Sequence, residues 1–179
     1  MNKKIFSLIC AVSCSLIWGT AFVAQDMGMD YIGPYTFSAV RLLLGFFTLL
    51  PFFFIFEFKK VKETKLSFEK LFIYLFFLGF FLAGGNIFQQ VSLLYTDVAN
   101  SAVFTVLYVV IVPIIAYFLF SKKIHNSVWP SVLMCLVGGL FLSELGNLRV
   151  RFGDSLVVVG AFFWAFHIVF ISKFLKIFN

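Results

Sequence analysis

Apolar residues run along this chain in six blocks, each close to twenty residues long, and polar residues gather in the short stretches between them. The blocks cover residues 5–24, 35–56, 71–93, 98–120, 128–145 and 155–175. An α-helix must keep about 20 consecutive residues apolar to cross the hydrocarbon core of a bilayer. Barrel strands would be shorter and would alternate apolar with polar residues, and these blocks do not. Turn formers punctuate the linkers, among them Gly33-Pro34, Asn126 and Gly153-Asp154. The pattern predicts an all-α integral membrane bundle of six transmembrane helices.

Composition agrees. Apolar residues make up 62% of the 179 and charged residues 12%, where a soluble domain is nearer half and a quarter. Twenty-eight phenylalanines exceed what a soluble chain of this length can bury, and lipid tolerates such a surface. The formal charge of +6 is therefore read by position and implies no nucleic-acid partner. Lys3 and Lys4 precede span one, Lys59, Lys60, Lys62, Lys65 and Lys70 lie between spans two and three, Lys122 and Lys123 follow span four, and Lys173 and Lys176 close span six. All eleven lysines thus fall on one side. The other side carries Asp26, Asp30, Asp97, Glu144 and Asp154, and Arg149 and Arg151 are the exceptions. Basic residues are retained in the cytoplasm, so both termini are expected there, in a multi-pass protein of the plasma membrane. Span one has the basic start of a signal peptide, but its apolar run is long, carries Trp18 and has no clear cleavage site, so it reads as a retained helix. Cys10, Cys14 and Cys135 lie inside spans and read as packing residues, with no disulfide framework.

Spans one and six match at their centres. Trp18 is followed by a small residue, Gly19, and by Val23. Trp164 is followed by Ala165 and Val169. A repeat of five spans re-enters the membrane in the opposite sense, which is the arrangement of inverted-repeat transporters. Trp18-Gly19 with Phe22 resembles the opening signature of the EamA-like group of the drug/metabolite transporter superfamily. The run Pro34-Tyr35-Thr36-Phe37-Ser38-Ala39-Val40-Arg41 is similar to its second-helix pattern, and residues 90–102, with Tyr95-Thr96, Ala99 and Ala102, to its third-to-fourth helix junction. Pro113, Gly138-Gly139, and Gly153-Asp154 followed by Trp164 stand where that family has a fourth-helix proline, a fifth-helix glycine pair and the start of its second repeat. The order and spacing of these motifs carry the resemblance over nearly the whole chain. It implies two inverted five-helix repeats around a central path. Residues 1–150 would then form one repeat and 151–179 the first helix of the next. A chain ending there reads as either a fragment or a truncated gene product, with a second copy or the missing half of the carrier as partner.

Polar groups inside a span are costly and are functional candidates. Arg41 lies about six residues into span two, roughly 9 Å at 1.5 Å per residue. It either attracts an anionic substrate group or anchors the helix, snorkelling outward or pairing with Asp26, Asp30 or Asp97. Asn86, Gln89 and Gln90 share one face of span three, as Ser101, Thr105 and Tyr108 do in span four. Each stripe either lines a path or bonds neighbouring helices. Pro113 predicts a kink in span four. Trp18 and Trp164 sit away from the interfaces that Trp prefers, and either stack on substrate or pack on each other near a pseudo-two-fold axis. Gly19 would admit a close approach beside Trp18. His167 reads as a proton relay or substrate contact, or as a hydrogen-bonded core histidine. Gly79, Gly84, Gly85, Gly138 and Gly139 permit close helix packing.

These residues point to a secondary carrier for small metabolites that needs no cofactor. By resemblance it would export amino acids or related amphipathic solutes. No P-loop is present, so coupling would use an ion gradient or the substrate's own gradient. The alternative is a six-helix substrate-binding subunit of a vitamin importer, which would need a separate energising complex. An enzyme is not expected: no nucleophile elbow accompanies His167, and two histidines with three scattered cysteines make no metal-ligand set.

Overall fold

The computed structural model describes residues 3–63, 67–121, 124–142 and 151–178. Lys65, Lys122, Lys123, Glu144 and Arg149, on which part of the charge pattern rests, and the end of the fifth predicted span (143–145) lie outside them. Every element among the described residues is helical: α1 (Lys3–Met29), α2 (Pro34–Phe52), a π-helical turn (Phe53–Glu57) running into α3 (Phe58–Glu63), α4 (Phe68–Ser92), α5 (Val98–Thr105), α6 (Tyr108–Phe120), α7 (Val128–Leu142) and α8 (Phe152–Phe178). Among the described residues five spans are long and apolar enough to cross a bilayer: Lys4–Met29, Pro34–Glu57, Phe68–Ser92, Val98–Phe120 and Phe152–Leu175. The sixth apolar helix, α7, has 15 described residues. The predicted blocks underestimate several helices, because polar ends such as Gln25–Met29 stay helical once past the apolar run.

Local chemistry explains the ends. Pro34 opens α2 at a position where its missing N–H costs no intrahelical bond. Pro51 later interrupts the ladder of the same helix, which widens to π-type bonds directly after it. Span four divides into α5 and α6 at Val106 and Leu107. There Leu107, Val109 and Val110 donate to the third residue back, Phe104, Val106 and Leu107. The helix then runs unbroken through Pro113. The interruption thus lies one to two turns before the proline, beside Thr105 and Tyr108.

Helix α8 holds the bundle together. It packs on α4 along much of its length, and on α5 and α6. Val157, Ala161, Ala165 and Val169, each four residues after the last, are its buried stripe. The α4–α8 contact is close because glycines line it. A Cβ on Gly85 would stand 3.0–3.2 Å from the indole of Trp164, and one on Gly84 would collide with the Phe163 ring. A Cβ on Gly160 would press on the Phe88 side chain at 3.3 Å and the Gly85 carbonyl at 3.4 Å. Among the described residues the interior is more polar than apolar. Seven apolar side chains are buried against ten polar ones, while dozens of Phe, Leu, Ile and Val side chains face outward. Water would forbid that distribution, and lipid permits it.

The start of α8 is fastened by Asp154. One carboxylate oxygen accepts from the Arg151 backbone N–H at 2.8 Å, the reach-back of an acid at the third position of a helix. The other accepts from Thr96 Oγ1 at 2.5 Å. Gly153 lets this corner close, since a Cβ there would lie 2.7 Å from the Ser92 carbonyl and 2.8 Å from Thr96. An exposed ion pair, Arg151 Nη1 to Asp97 Oδ2 at 2.6 Å, lies beside it. Asp154→Ala is expected to lower stability by about 2 kcal/mol or more, because the buried Thr96 hydroxyl and the Arg151 backbone N–H both lose their acceptor. Asp97→Ala, which breaks an exposed pair, is expected to cost about 1 kcal/mol or less. Thermal unfolding in detergent micelles checks both, and equal losses would refute the distinction.

Candidate functional site

In α1, Ser15, Trp18, Gly19 and Phe22 recur at helical spacing and form one face. Opposite stand Ala102, Thr105 and Val106 of span four and Tyr108, just past its interruption. Together they enclose a cleft of about 300 Å³. The Trp18 and Tyr108 rings stack with centroids 6.1 Å apart and planes 22° apart. Trp18 also meets Trp164 of α8 at 6.0 Å, tilted by 59°, and Trp164 stands edge-on to His167 at 6.2 Å. Four aromatic rings therefore run in a row across three spans. Of the two alternatives for the inner tryptophans, contact with each other is what the geometry provides, with Trp18 also lining the cleft. The Trp164 indole N–H is buried without a hydrogen-bond partner among the described residues. His167 is half-buried, and its Nδ1–H donates to the Leu78 carbonyl of α4 at 3.0 Å, which leaves Nε2 as the acceptor nitrogen.

The polar face of α4 is shared among three neighbours. Gln89 serves α5: its Nε2 donates to Thr105 Oγ1 at 2.9 Å, and that hydroxyl donates on to the Ser101 carbonyl at 2.8 Å. Ser92 Oγ lies 3.1 Å from Ser101 Oγ and 2.6 Å from the Gln89 carbonyl to which it donates. Gln89, Ser92, Ser101 and Thr105 are all buried, so this small network sits behind the cleft wall. Gln90 serves α1: its Nε2 donates to the Gln25 carbonyl at 3.4 Å, and Gln25 Nε2 donates to the Ala21 carbonyl at 2.9 Å. Both Oε1 atoms stay buried without a partner, as does Ser38 Oγ of α2. Asn86 serves α2. Arg41 donates to Asn86 Oδ1, and Asn86 Nδ2 donates to the Leu82 carbonyl at 2.8 Å. The anchoring alternative for Arg41 named Asp26, Asp30 and Asp97 as partners. Asp97 is paired with Arg151, and among the described residues the Arg41 guanidinium has no carboxylate partner.

The candidates therefore fall into groups. Trp18, Gly19, Phe22, Thr105 and Tyr108 line the cleft, with Trp164 and His167 behind Trp18. Gln89 and Ser101 support Thr105, Gln90 faces α1, and Arg41 with Asn86 forms a separate centre on the α2 side. Ser15 and Ala102 line the cleft and Gln25 bonds Gln90 beside it, though the sequence placed none of the three on the substrate path. Ser15 and Gln25 lie three residues before and seven after Trp18, which is the face spacing that identifies them. A larger hollow of about 470 Å³ lies between α6 and α7, lined by Ile114, Tyr117, Phe118, Ile124 and Trp129. It contains none of the candidates.

The model of the EamA-like transporter family matches residues 5–144. An uncharacterized transporter of Archaeoglobus fulgidus is 28% identical over 177 residues, which is 99% of this chain and 52% of that protein. The uncharacterized transporter YoaV of Bacillus subtilis is 27% identical over 163 residues, 89% of this chain and 54% of that protein. The chain thus spans about half the length of the curated relatives it matches. No solved structure matches it.

Thr105→Val keeps the shape of the cleft wall but removes the acceptor of the buried Gln89 amide. The expected loss of stability is about 1–3 kcal/mol, the cost of an orphaned buried donor. Thr105→Ser should recover most of it. Thermal unfolding of the two variants side by side is the measurement, and equal losses would show that the hydroxyl is not what matters.

Proposed function

The chain belongs to the EamA-like transporter family, and from that premise we propose that it acts in a secondary carrier that exports small amphipathic metabolites, amino acids or related solutes. The observation that carries the reading is the aromatic cleft at the junction of α1, α5 and α6, lined by Trp18, Phe22, Thr105 and Tyr108. Ligand pockets are mostly apolar and aromatic, with a few polar groups that fix orientation. Here the rings of Trp18 and Tyr108 supply the apolar wall, and Thr105, whose hydroxyl is held by Gln89 and Ser101, is a polar residue set into it.

The proposal extends to arrangement. Residues 1–150 form one five-helix repeat and 151–179 begin its inverted partner, so the Trp18–Trp164 contact is where the two repeats meet. Both termini lie in the cytoplasm of a plasma-membrane protein, following the lysine pattern. Arg41, Asn86, Gln90 and Ser101 join the cleft residues, Trp164 and His167 along the substrate path. The α5–α6 interruption gives the path a place to bend, because its i→i−3 bonds are geometrically poorer than those of the helix on either side. Binding and movement of solute draw on its own gradient or that of an ion.

Counterflow into proteoliposomes tests the reading. Vesicles preloaded with an unlabelled amino-acid mixture should accumulate labelled solute faster than empty ones. Trp18→Ala should cut the initial rate at least about tenfold, since it removes the stacking surface, while Trp129→Phe, which lies away from the cleft, should leave it unchanged. Equal rates for Trp18→Ala and the parent protein would overturn the assignment of the cleft.

A further inference from the structure

The hollow of about 470 Å³ between α6 and α7 has no part in the carrier reading. Local structure makes it. Ser121 leaves α6 in the left-handed conformation, φ 49°, which turns the chain sharply out of the helix. Ile124 then lies against the space, and α7 starts at Val128. The two helices touch sparingly beside the long α4–α8 contact, so side chains do not fill the angle between them. Ile114, Tyr117 and Phe118 of α6 line the hollow with Ile124 and Trp129. Ile114, Tyr117, Phe118 and Trp129 are all exposed, so the hollow opens outward from the bundle.

What surrounds a membrane span is lipid. Water finds too few hydrogen-bonding partners among such side chains to settle there, whereas a hydrocarbon tail supplies the dispersion contacts that an unfilled apolar wall forfeits. The end of the bundle at which the hollow lies says which lipid. Tyr117 and Phe118 stand in the last turn of span four, and Trp129 is the second residue of α7. Tyr and Trp gather at the level of the lipid head groups. Cationic charge gathers at the same end. Lys173 Nζ of α8 stands 4.7 Å from the centroid of the Phe120 ring, three residues or about 4.5 Å along the axis past Tyr117. A ring face holds an ammonium without cancelling its charge. The sequence places all eleven lysines on that side, against three glutamates, Glu57, Glu63 and Glu69. A surface of that sign attracts anionic lipids.

We propose that the α6–α7 hollow is a binding site for one anionic phospholipid, with a tail against Ile114 and Phe118 and the head group held at the lysine-bearing end. The tail selects nothing by itself, since every phospholipid has one, and the charge of the head group supplies the preference. A tail seated there braces α7, which has sparse contacts with its neighbours among the described residues. The site stands apart from the Trp18–Tyr108 cleft and shares no residue with it.

Native mass spectrometry of the delipidated full chain in detergent, titrated with dioleoyl-phosphatidylglycerol or dioleoyl-phosphatidylcholine, tests this directly. The two lipids share their tails and differ in charge. The parent protein should retain one phosphatidylglycerol at least about tenfold more tightly than phosphatidylcholine, and Lys173→Gln should lower that preference by about fivefold while leaving phosphatidylcholine unchanged. Ile114→Trp, which fills the hollow, should abolish the tight lipid. Phe118→Ser, at a position exposed enough to spare the fold, should weaken both lipids alike. Leu49→Trp, an exposed position on α2, should retain lipid as the parent does. Equal retention of the two lipids by the parent, or parental retention in both Ile114→Trp and Phe118→Ser, overturns the site. Loss of the lipid in Leu49→Trp as well overturns its location. A dimer of the parent that Ile114→Trp splits assigns the hollow to a second copy and overturns the lipid. None of these outcomes touches the cleft reading.

Discussion

Much of the architecture depends on one close approach, that of α4 to α8 at Gly84, Gly85 and Gly160. Lipid tails are as apolar as a leucine side chain, so burial from water does not press two membrane helices together, and contact must come from packing and interhelical bonds. With no Cβ in the way, the Trp164 ring lies directly on Gly85 and the Phe163 ring on Gly84. Seating those rings there brings Trp164 to Trp18 and positions His167 to bond the Leu78 carbonyl. A side chain at Gly84 or Gly85 would have to push Phe163 or Trp164 away, and the aromatic row would lose its middle. The same logic repeats at the start of α8, where Gly153 lets the buried Asp154 reach Thr96.

Polar groups do the rest of the assembly. Each of Asn86, Gln89 and Gln90 is buried and each engages a different helix, α2, α5 and α1 respectively. Three residues within five positions thus set where three neighbours stand. The Gln89–Thr105–Ser101–Ser92 network has a bond for every hydroxyl. The Gln90–Gln25 pair does not: its one bond is long, and two amide oxygens stay unpartnered. Interhelical bonds are worth about 1 kcal/mol or less each, so completeness of a network decides how firmly it holds.

The sequence made the fold class and most of the spans legible, because a run of apolar residues about 20 long has one physical use. It made the small-residue contacts partly legible: the Gly84-Gly85 pair stands out, but that Gly160 meets it depends on how α8 is rotated, which no local pattern states. The site was legible as faces and not as pairings. Spacings of three and four put Asn86, Gln89 and Gln90 on one side of a helix, yet a face of about 100° can reach three partners, and only the packing decides which residue meets which. Arg41 shows the limit well. Its depth in the span was readable, while its choice of Asn86 over Asp26, Asp30 and Asp97 was not. The interruption of span four was half legible. Pro113 removes a donor, but the ladder gives way earlier, at Val106 and Leu107, where tight turns replace α-helical bonds.

These contrasts sort the helices by how tightly they are held. Helices α4, α5 and α8 share glycine contacts, the closed Gln89 network and the Asp154 cap. Helix α1 touches them through the Trp18 rings and the long Gln90 bond, and α2 through Arg41 and Asn86. The cleft lies on the boundary between the two sets, with α1 as one wall and the interrupted span four as the other. A carrier must open such a boundary without dismantling its core. Aromatic faces suit that task, because stacked rings can slide past one another at little cost, whereas a buried hydrogen bond is either made or lost. The weakly tied side of the cleft is therefore the side that its contacts leave freest to move, and the Arg41–Asn86 bond ties it to the firm side.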